Sequence, residues 1–310
     1  MSPPRGDAAT MPLLATCWTT AGDAAPQVGD ERSPLPLRAR IETAAASGWS
    51  GFGLVHADLI AQRNSQGGLA ELSSILRDNG MEHLELEFLG DWWTSGERRA
   101  ASDRVRDDLL GAAEALGAQT VKIAAEMADP NAGGDGHAAA AADPEVVLEA
   151  LDALATRAAA HGTRVALEPM PFCRTIRTVH DGVAVLEAIK NPAAGLCVDI
   201  WHVYRTGTDY AELVGIDRAH IFVVELDDGL REPEGSLWSD TVDRRRYPGR
   251  GDFDVPRFVS AIRATGFDGP WGVEIISEEH RARPIEQSLP ELTTLVRAAL
   301  AAADPAPPRH

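Results

Sequence analysis

The sequence predicts an α/β protein built as a single (β/α)8 barrel. Short, apolar, β-rich runs alternate with longer segments of helical period along most of the chain. The helical segments are commonly followed by glycine or proline, which end helices. A length of 310 residues and a hydrophobic content of 44% are enough for one large barrel. Strands that alternate with helices form a parallel sheet, and eight such units can close it.

The elements follow one another regularly along the chain. Strands are expected at residues 13–17, 51–55, 83–88, 120–124, 164–168, 195–199, 221–225 and 271–275. Helices are expected at 37–47, 69–79, 97–116, 144–161, 179–189, 210–213, 255–265 and 284–302. The residues that stop these helices are Gly48, Gly80, Gly117, Gly162, Pro192 and Gly266.

The domain organisation follows from the same alternation. The stretch 129–143 is rich in Gly, Ala and Asp and has the composition of a linker. Because strands and helices resume on both sides of it, we interpret it as a long loop after the fourth strand. Residues 1–310 are therefore predicted to form one barrel domain with short disordered tails at both ends.

Composition excludes several classes of partner. The formal net charge is −18, from 29 basic and 47 acidic residues, which opposes binding to nucleic acid and to anionic membranes. There is no secretory apolar region near residue 1 and no apolar run of about 18 residues. The three cysteines lack CxxC spacing, which indicates neither a disulfide framework nor a zinc knuckle. A cytoplasmic protein with no nucleic-acid or membrane partner is expected.

Four successive late strands each end on an acid. The segments RVALEP, GLCVDIWH, IFVVELDD and WGVEIIS place there Glu168, Asp199, Glu225 and Glu274. In a barrel these strand ends meet at one mouth, where catalytic groups collect. Crowded and partly desolvated carboxylates need a cation or protons, so the pattern predicts a divalent metal ion. Any one of these acids could instead be a loop carboxylate or a helix cap.

Several segments resemble the sugar isomerase/epimerase superfamily of xylose-isomerase-like TIM barrels. They are LEPMPF, VDIWH, VVELDD, YPGRGDFD and GFDGPWGVEIISEEHR, and the likeness extends over residues 13–285. The superfamily includes ketose 3-epimerases, inosose dehydratase and 3-dehydroshikimate dehydratase. The resemblance implies one divalent ion, Mn²⁺ or Mg²⁺ with Co²⁺ as a further option, held by Glu168, Asp199, Glu225 and Glu274. Glu225 departs from the pattern, because the epimerases have His there and the dehydratases resemble a Gln pattern.

The resemblance also implies a reaction class. Glu168 and Glu274 would be the acid/base pair that removes and returns a proton next to a metal-polarised carbonyl. The expected activity is that of a sugar or polyol isomerase or epimerase. A dehydratase or lyase that eliminates a β-substituent is the alternative, and a non-catalytic sugar-binding barrel is a second one. Barrels of this kind often pair, so a homo-oligomer is possible.

Further residues are candidates for substrate contact. The resemblance assigns this role to His202, three residues after Asp199, which could otherwise be a loop residue capping the next helix. The remaining candidates are Arg174, Arg245, Arg246, His56, Glu87 and Lys122. Each could also be a solvated or structurally satisfied residue at the rim. No glycine-rich phosphate-binding pattern is present, which favours unphosphorylated polyols as substrates.

Overall fold

The computed structural model describes residues 10–126 and 143–303 and shows a closed parallel barrel. Eight strands follow one another in chain order around it, and the last pairs with the first through Leu14 and Gly272. The predicted (β/α)8 TIM barrel is therefore confirmed. The two predicted tails, at residues 1–9 and 304–310, and nearly all of the predicted 129–143 loop lie outside the described residues.

The strands are β1 (Leu13–Ala15), β2 (Gly51–Val55), β3 (His83–Leu89), β4 (Thr120–Ile123), β5 (Arg164–Leu167), β6 (Ala194–Asp199), β7 (Ile221–Leu226) and β8 (Trp271–Val273). The helices are α1 (Cys17–Thr20), α2 (Leu37–Ala46), α3 (His56–Arg63), α4 (Gly68–Asp78), α5 (Gly96–Leu116), α6 (Pro144–Ala160), α7 (Val179–Ile189), α8 (Ile200–Arg205), α9 (Tyr210–Leu213), α10 (Leu237–Asp243), α11 (Val255–Ala264), α12 (Glu278–Arg281) and α13 (Ile285–Ala302), with a 3-10 turn at Arg218–His220.

The long elements lie where the periodicity places them, whereas several short helices at the barrel mouth were not predicted. These are α1, α3, α8, α10 and α12, each of four to eight residues. Four of them begin directly or a few residues after a strand, in segments for which the sequence predicted no helix. A helix this short has too few turns to show a helical period. None of the described helices is long and apolar enough to cross a membrane.

The outward face of the strands carries the apolar core, and the inward face carries the residues of the site. One large apolar cluster, which includes Phe52, Leu86 and Val165, packs the strands against the surrounding helices. On the inward face, Ala166, Cys197 and Val223 form a small buried layer. Residues two apart in a strand share a face. The residues two positions further along these strands therefore lie directly above that layer, at the mouth, and they are Glu168, Asp199 and Glu225.

Candidate active site and metal centre

The structure brings together the four acids that end the late strands. Asp199 and Glu225 are direct neighbours in the β6–β7 register. Glu168 and Glu274 lie one residue beyond β5 and β8, where their backbone N–H groups still bond the neighbouring strands. One carboxylate oxygen from each of the four lies within 4.8 Å of the others. All four side chains are buried.

Lys122 enters this cluster from β4. Its Nζ donates to Glu225 Oε1 and to Glu274 Oε1, each at 2.7 Å, and lies 3.1 Å from Glu87 Oε2. The lysine side chain is only 1% exposed. Burying an ammonium group is costly unless carboxylates pair with it, and this one has three.

Arg245 brings a second cation to the same cluster and, like Lys122, contacts Glu274. Its Nη1 lies 2.6 Å from Asp199 Oδ2, 2.5 Å from Asp227 Oδ2 and 3.1 Å from Glu274 Oε2. Its Nη2 donates to the Thr241 hydroxyl at 2.9 Å. Asp227 was not singled out from the sequence, although its spacing of two residues from Glu225 was a usable signal.

The PGRGDFD motif holds the chain that carries Arg245. Asp228 accepts backbone N–H bonds from Gly229, Gly249 and Phe253 at 2.8–3.0 Å. A Cβ atom on Gly251 would lie 2.3 Å from both Asp228 Oδ1 and the Gly229 carbonyl, so only glycine fits there. The motif thus forms a turn around the Asp228 carboxylate, and this turn holds the segment that follows Arg245.

His202 lies on α8 against the same acids. Its Nε2 is 3.2 Å from Glu168 Oε1 and 3.8 Å from Asp199 Oδ2, and its ring packs edge-on against Phe172. Asp199 Oδ1 also accepts the Trp201 N–H at 2.6 Å and caps this helix. Asp199 therefore belongs to the acid cluster and is a helix cap as well, so the two interpretations of this residue are compatible.

The electrostatics of the cluster are dominated by burial and by excess negative charge. Burial alone would raise the pKa of Glu168, but Lys122, His202 and Arg245 outweigh it and lower that pKa to about 2. Burial, followed by the charge of Glu274, raises the pKa of Glu225 well above its ordinary range. Burial likewise raises the pKa of Glu274, against the opposing effect of Lys122 and Arg245. Such carboxyl groups either keep a proton or take up a cation.

Glu85 is a second buried acid, besides Asp227, that was not singled out from the sequence. Glu85 lies two residues before Glu87 on β3, and both of its carboxylate oxygens lack a hydrogen-bond donor among the described residues. Burial raises its pKa to about 8. Residues two apart in a strand share a face, so Glu85 and Glu87 both lie on the face of β3 that meets Lys122 inside the barrel.

A pocket of about 260 Å³ opens above the cluster. Its polar floor is formed by Glu87, Lys122, Glu168, His202, Arg245 and Glu274. Its walls include the aromatic and aliphatic side chains of Trp18, Phe88, Met170, Phe172, Trp238 and Ile276. An apolar enclosure with a few convergent polar groups is typical of a small-molecule site.

Three of the predicted substrate-contacting residues lie outside this pocket. His56 begins α3, which turns its ring outward so that Nε2 lies 3.0 Å from Asp108 on α5. Arg174 is exposed. Arg246 lies 3.5 Å from Glu234 and lines a neighbouring hollow, because adjacent residues in the extended segment around Arg245 point in opposite directions. None of the three lines this pocket, and a substrate-contacting role for them stays a prediction.

An eight-stranded parallel barrel with acids at its mouth is a class of protein, and sequence comparison shows which family of that class this chain belongs to. The chain belongs to the xylose isomerase-like TIM barrel family, whose sequence profile matches residues 41–295. This confirms the resemblance seen in the motifs. The 3-dehydroshikimate dehydratase of Pseudomonas aeruginosa is 25% identical over 253 residues, which are 80% of this chain and 37% of that protein. The inosose isomerase of Halalkalibacterium halodurans is 28% identical over 144 residues, which are 46% of this chain and 50% of that one.

Known structures show the same fold. The IOLI protein, described with a binding zinc atom, superposes with a TM-score of 0.71 and 16% identity over 94% of this chain and 98% of that one. The D-allulose 3-epimerase of a Methylomonas species, in complex with D-allulose, gives a TM-score of 0.67 and 17% identity over 96% of both chains. The alignments with the dehydratase and the inosose isomerase span half or less of those proteins.

The donor set of this chain is compatible with a divalent ion. The four clustered carboxylates, Glu168, Asp199, Glu225 and Glu274, could hold a metal ion. Glu168 Oε1 is buried and accepts no well-formed hydrogen bond from the described residues, so it retains a lone pair for such an ion. An all-oxygen set suits hard ions such as Mg²⁺ and Mn²⁺ better than zinc.

Proposed function

We propose that this protein is an isomerase or epimerase that moves a proton at the carbon next to the carbonyl of a small keto-sugar or polyol. The observation that carries the proposal is the meeting of Glu168 and Glu274 with His202 on the floor of one pocket. Two carboxyl groups within reach of one bound molecule can remove a proton and return it. The family membership and the sugar- and polyol-directed names among the relatives support the reaction class.

The chemistry needs a positive group beside the carbonyl oxygen. Glu168, Asp199, Glu225 and Glu274 would hold one divalent ion, with Mn²⁺ or Mg²⁺ preferred and Co²⁺ as a further option. When bound, such an ion supplies a Lewis acid that stabilises the negative charge left on oxygen as the proton departs.

The side chains of this chain divide the remaining work. Glu168 accepts the proton from carbon, and Glu274 delivers one, from a different strand end. His202 and Arg245 bind substrate oxygens from the pocket floor. Trp18, Phe172 and the other apolar walls pack against the carbon face of the sugar and exclude water. The three cysteines are free and buried, which is consistent with the proposed cytoplasmic location.

A dehydratase is the second candidate, and a specific observation favours it. The relative that aligns with 80% of this chain is a 3-dehydroshikimate dehydratase. The same first step, proton removal next to a carbonyl, leads to elimination when a β-hydroxyl group leaves before the proton returns. The two reactions give different products, but the same acid/base pair can carry out both.

Deuterium incorporation tests the proposal. The protein is incubated with Mn²⁺ and a panel of ketoses, inososes and dehydroshikimate in deuterated water, and the products are followed by NMR and mass spectrometry. Deuterium at the α-carbon of a stereoisomer supports the epimerase, and loss of water supports the dehydratase. Tight binding of a sugar with neither exchange nor elimination would instead indicate a non-catalytic binding barrel.

A further inference from the structure

Lys122 contacts two of the carboxylates that would hold the proposed metal ion. Of the three carboxylates that contact its ammonium group, Glu225 and Glu274 belong to the proposed ligand set. The third, Glu87, does not. Lys122 therefore bonds half of the ligands that an ion would use.

The distances make simultaneous occupancy unfavourable. A divalent ion bonds carboxylate oxygens at about 2.0–2.6 Å. An ion that shares the oxygen bonded to Lys122 at 2.7 Å would lie within about 5 Å of the ammonium nitrogen. Two positive groups that close together in a buried site repel each other strongly. The β4 backbone is fixed by pairing with β3 and β5, so Lys122 can move away only by changing its side-chain conformation.

We infer that Lys122 is a built-in cation that stands in the place of the divalent ion, so that ion binding requires this side chain to withdraw. The inference rests on the ligand set of the proposed function. When the ion enters, Glu87 remains as a partner for the displaced ammonium group. The cost of this exchange weakens metal binding, and part of the negative charge of the centre stays compensated when no ion is bound.

Metal titration of purified variants tests the inference without any substrate. Isothermal titration calorimetry with Mn²⁺ and Mg²⁺ is carried out on the wild type, Lys122→Met, Lys122→Arg and Lys190→Met. Lys122→Met removes the charge and keeps an unbranched chain, whereas Lys122→Arg keeps the charge. Lys190 lies at the C-terminal end of α7, so Lys190→Met is the control for losing one positive charge elsewhere.

The expected result is that Lys122→Met binds Mn²⁺ about 100-fold more tightly than the wild type, because a buried repulsion is removed. Lys122→Arg and Lys190→Met should stay close to the wild type. In thermal melts, Lys122→Met should be less stable than the wild type with a chelator and should gain more from added Mn²⁺. Equal affinities of Lys122→Met and the wild type, or no binding by either, would overturn the inference.

A second measurement covers the case in which Lys122→Met does not fold. Crystals of the wild type are grown with and without Mn²⁺. With the ion at the four carboxylates, Lys122 Nζ should have left both Glu225 and Glu274. An ion bound while Nζ still contacts both would overturn the inference. These results are independent of turnover, so a negative keto-sugar panel would affect only the proposed function.

Discussion

Glu274 has two proposed roles, proton transfer and metal binding, and its substitution should affect both. Glu274→Gln keeps the shape of the side chain and removes its ability to transfer a proton. Turnover should fall by about two to four powers of ten, the usual range for a positioned acid or base. The measurement is the rate of α-deuterium exchange on a substrate found in the panel. Glu278→Gln, at an exposed side chain on α12, is the control. Undiminished exchange in both Glu168→Gln and Glu274→Gln would show that the roles are misassigned.

Glu225 decides which ions the centre prefers. The family pattern has His or Gln at this position, and Glu225 makes the set all-oxygen. Glu225→His should raise the affinity for Co²⁺ and Zn²⁺ relative to Mg²⁺, because imidazole suits softer ions. Calorimetric titration of the three ions into the wild type and Glu225→His gives the affinities for Co²⁺ and Zn²⁺ relative to that for Mg²⁺. If the order of preference is the same in both, Glu225 is not a ligand.

Glu85 should make stability depend on pH. Its pKa is about 8 in the folded protein and about 4.5 when unfolded, so the unfolded chain releases this proton first as pH rises. The stability contributed by this group is present below pH 4.5 and is lost between those two values. Glu85→Gln lacks that loss, so its stability relative to the wild type should rise by on the order of 1–3 kcal/mol from pH 5 to pH 8. Melts at several pH values measure the difference, with exposed Glu149→Gln as the control. A pH-independent difference would contradict the prediction.

At the scale of elements, the strands could be predicted from the sequence, but the short helices at the barrel mouth could not. Strand bounds agree with the structure within two residues, because buried parallel strands appear as apolar runs between helix stops. The helix that begins at His56 has Val55 at its N-cap and no side-chain cap bond, so no local signal marks its start. Without that signal, the sequence could not show that the His56 ring lies against Asp108 on α5. The acids and Lys122 were found because a strand end fixes the direction of its last side chains.

The PGRGDFD turn is the element whose disruption should be most informative. Asp228→Ala would leave the backbone N–H groups of Gly229, Gly249 and Phe253 without their acceptor. The free energy of unfolding should fall by about 2–3 kcal/mol, the cost of leaving such groups unsatisfied. Urea unfolding measures this, and the exposed Asp78, 3.5 Å from Arg77, gives a control variant, Asp78→Ala, with an effect under about 1 kcal/mol. A loss as small as the control's would show that water replaces the carboxylate in the turn.

At the scale of the whole molecule, the barrel places one set of opposed charges at its centre. Carboxylates from β3 and from the ends of β5 to β8 meet Lys122 from β4 and Arg245 from the loop after α10. Sequence could predict the acids individually, but their pairing with Lys122 depends on barrel closure, which brings residues 103 and 152 positions apart into contact. No local pattern encodes such a contact. The net charge of −18 therefore does not predict that two cations, Lys122 and Arg245, lie among the acids at the centre of the barrel.

The fold should outlast the loss of its metal ion. Because Lys122 and Arg245 stay bonded to the acids when no ion is present, chelation should abolish turnover and leave the barrel folded. An ion at ten times its Kd stabilises the folded state by about 1.4 kcal/mol, which corresponds to about 2–4 °C in unfolding temperature for a chain of this size. Activity and circular dichroism melts are measured after exhaustive chelation and again after Mn²⁺ or Mg²⁺ is restored. Full activity with no metal in elemental analysis would end the metal-dependent mechanism. Unfolding on chelation would instead show that the two cations cannot neutralise the centre alone.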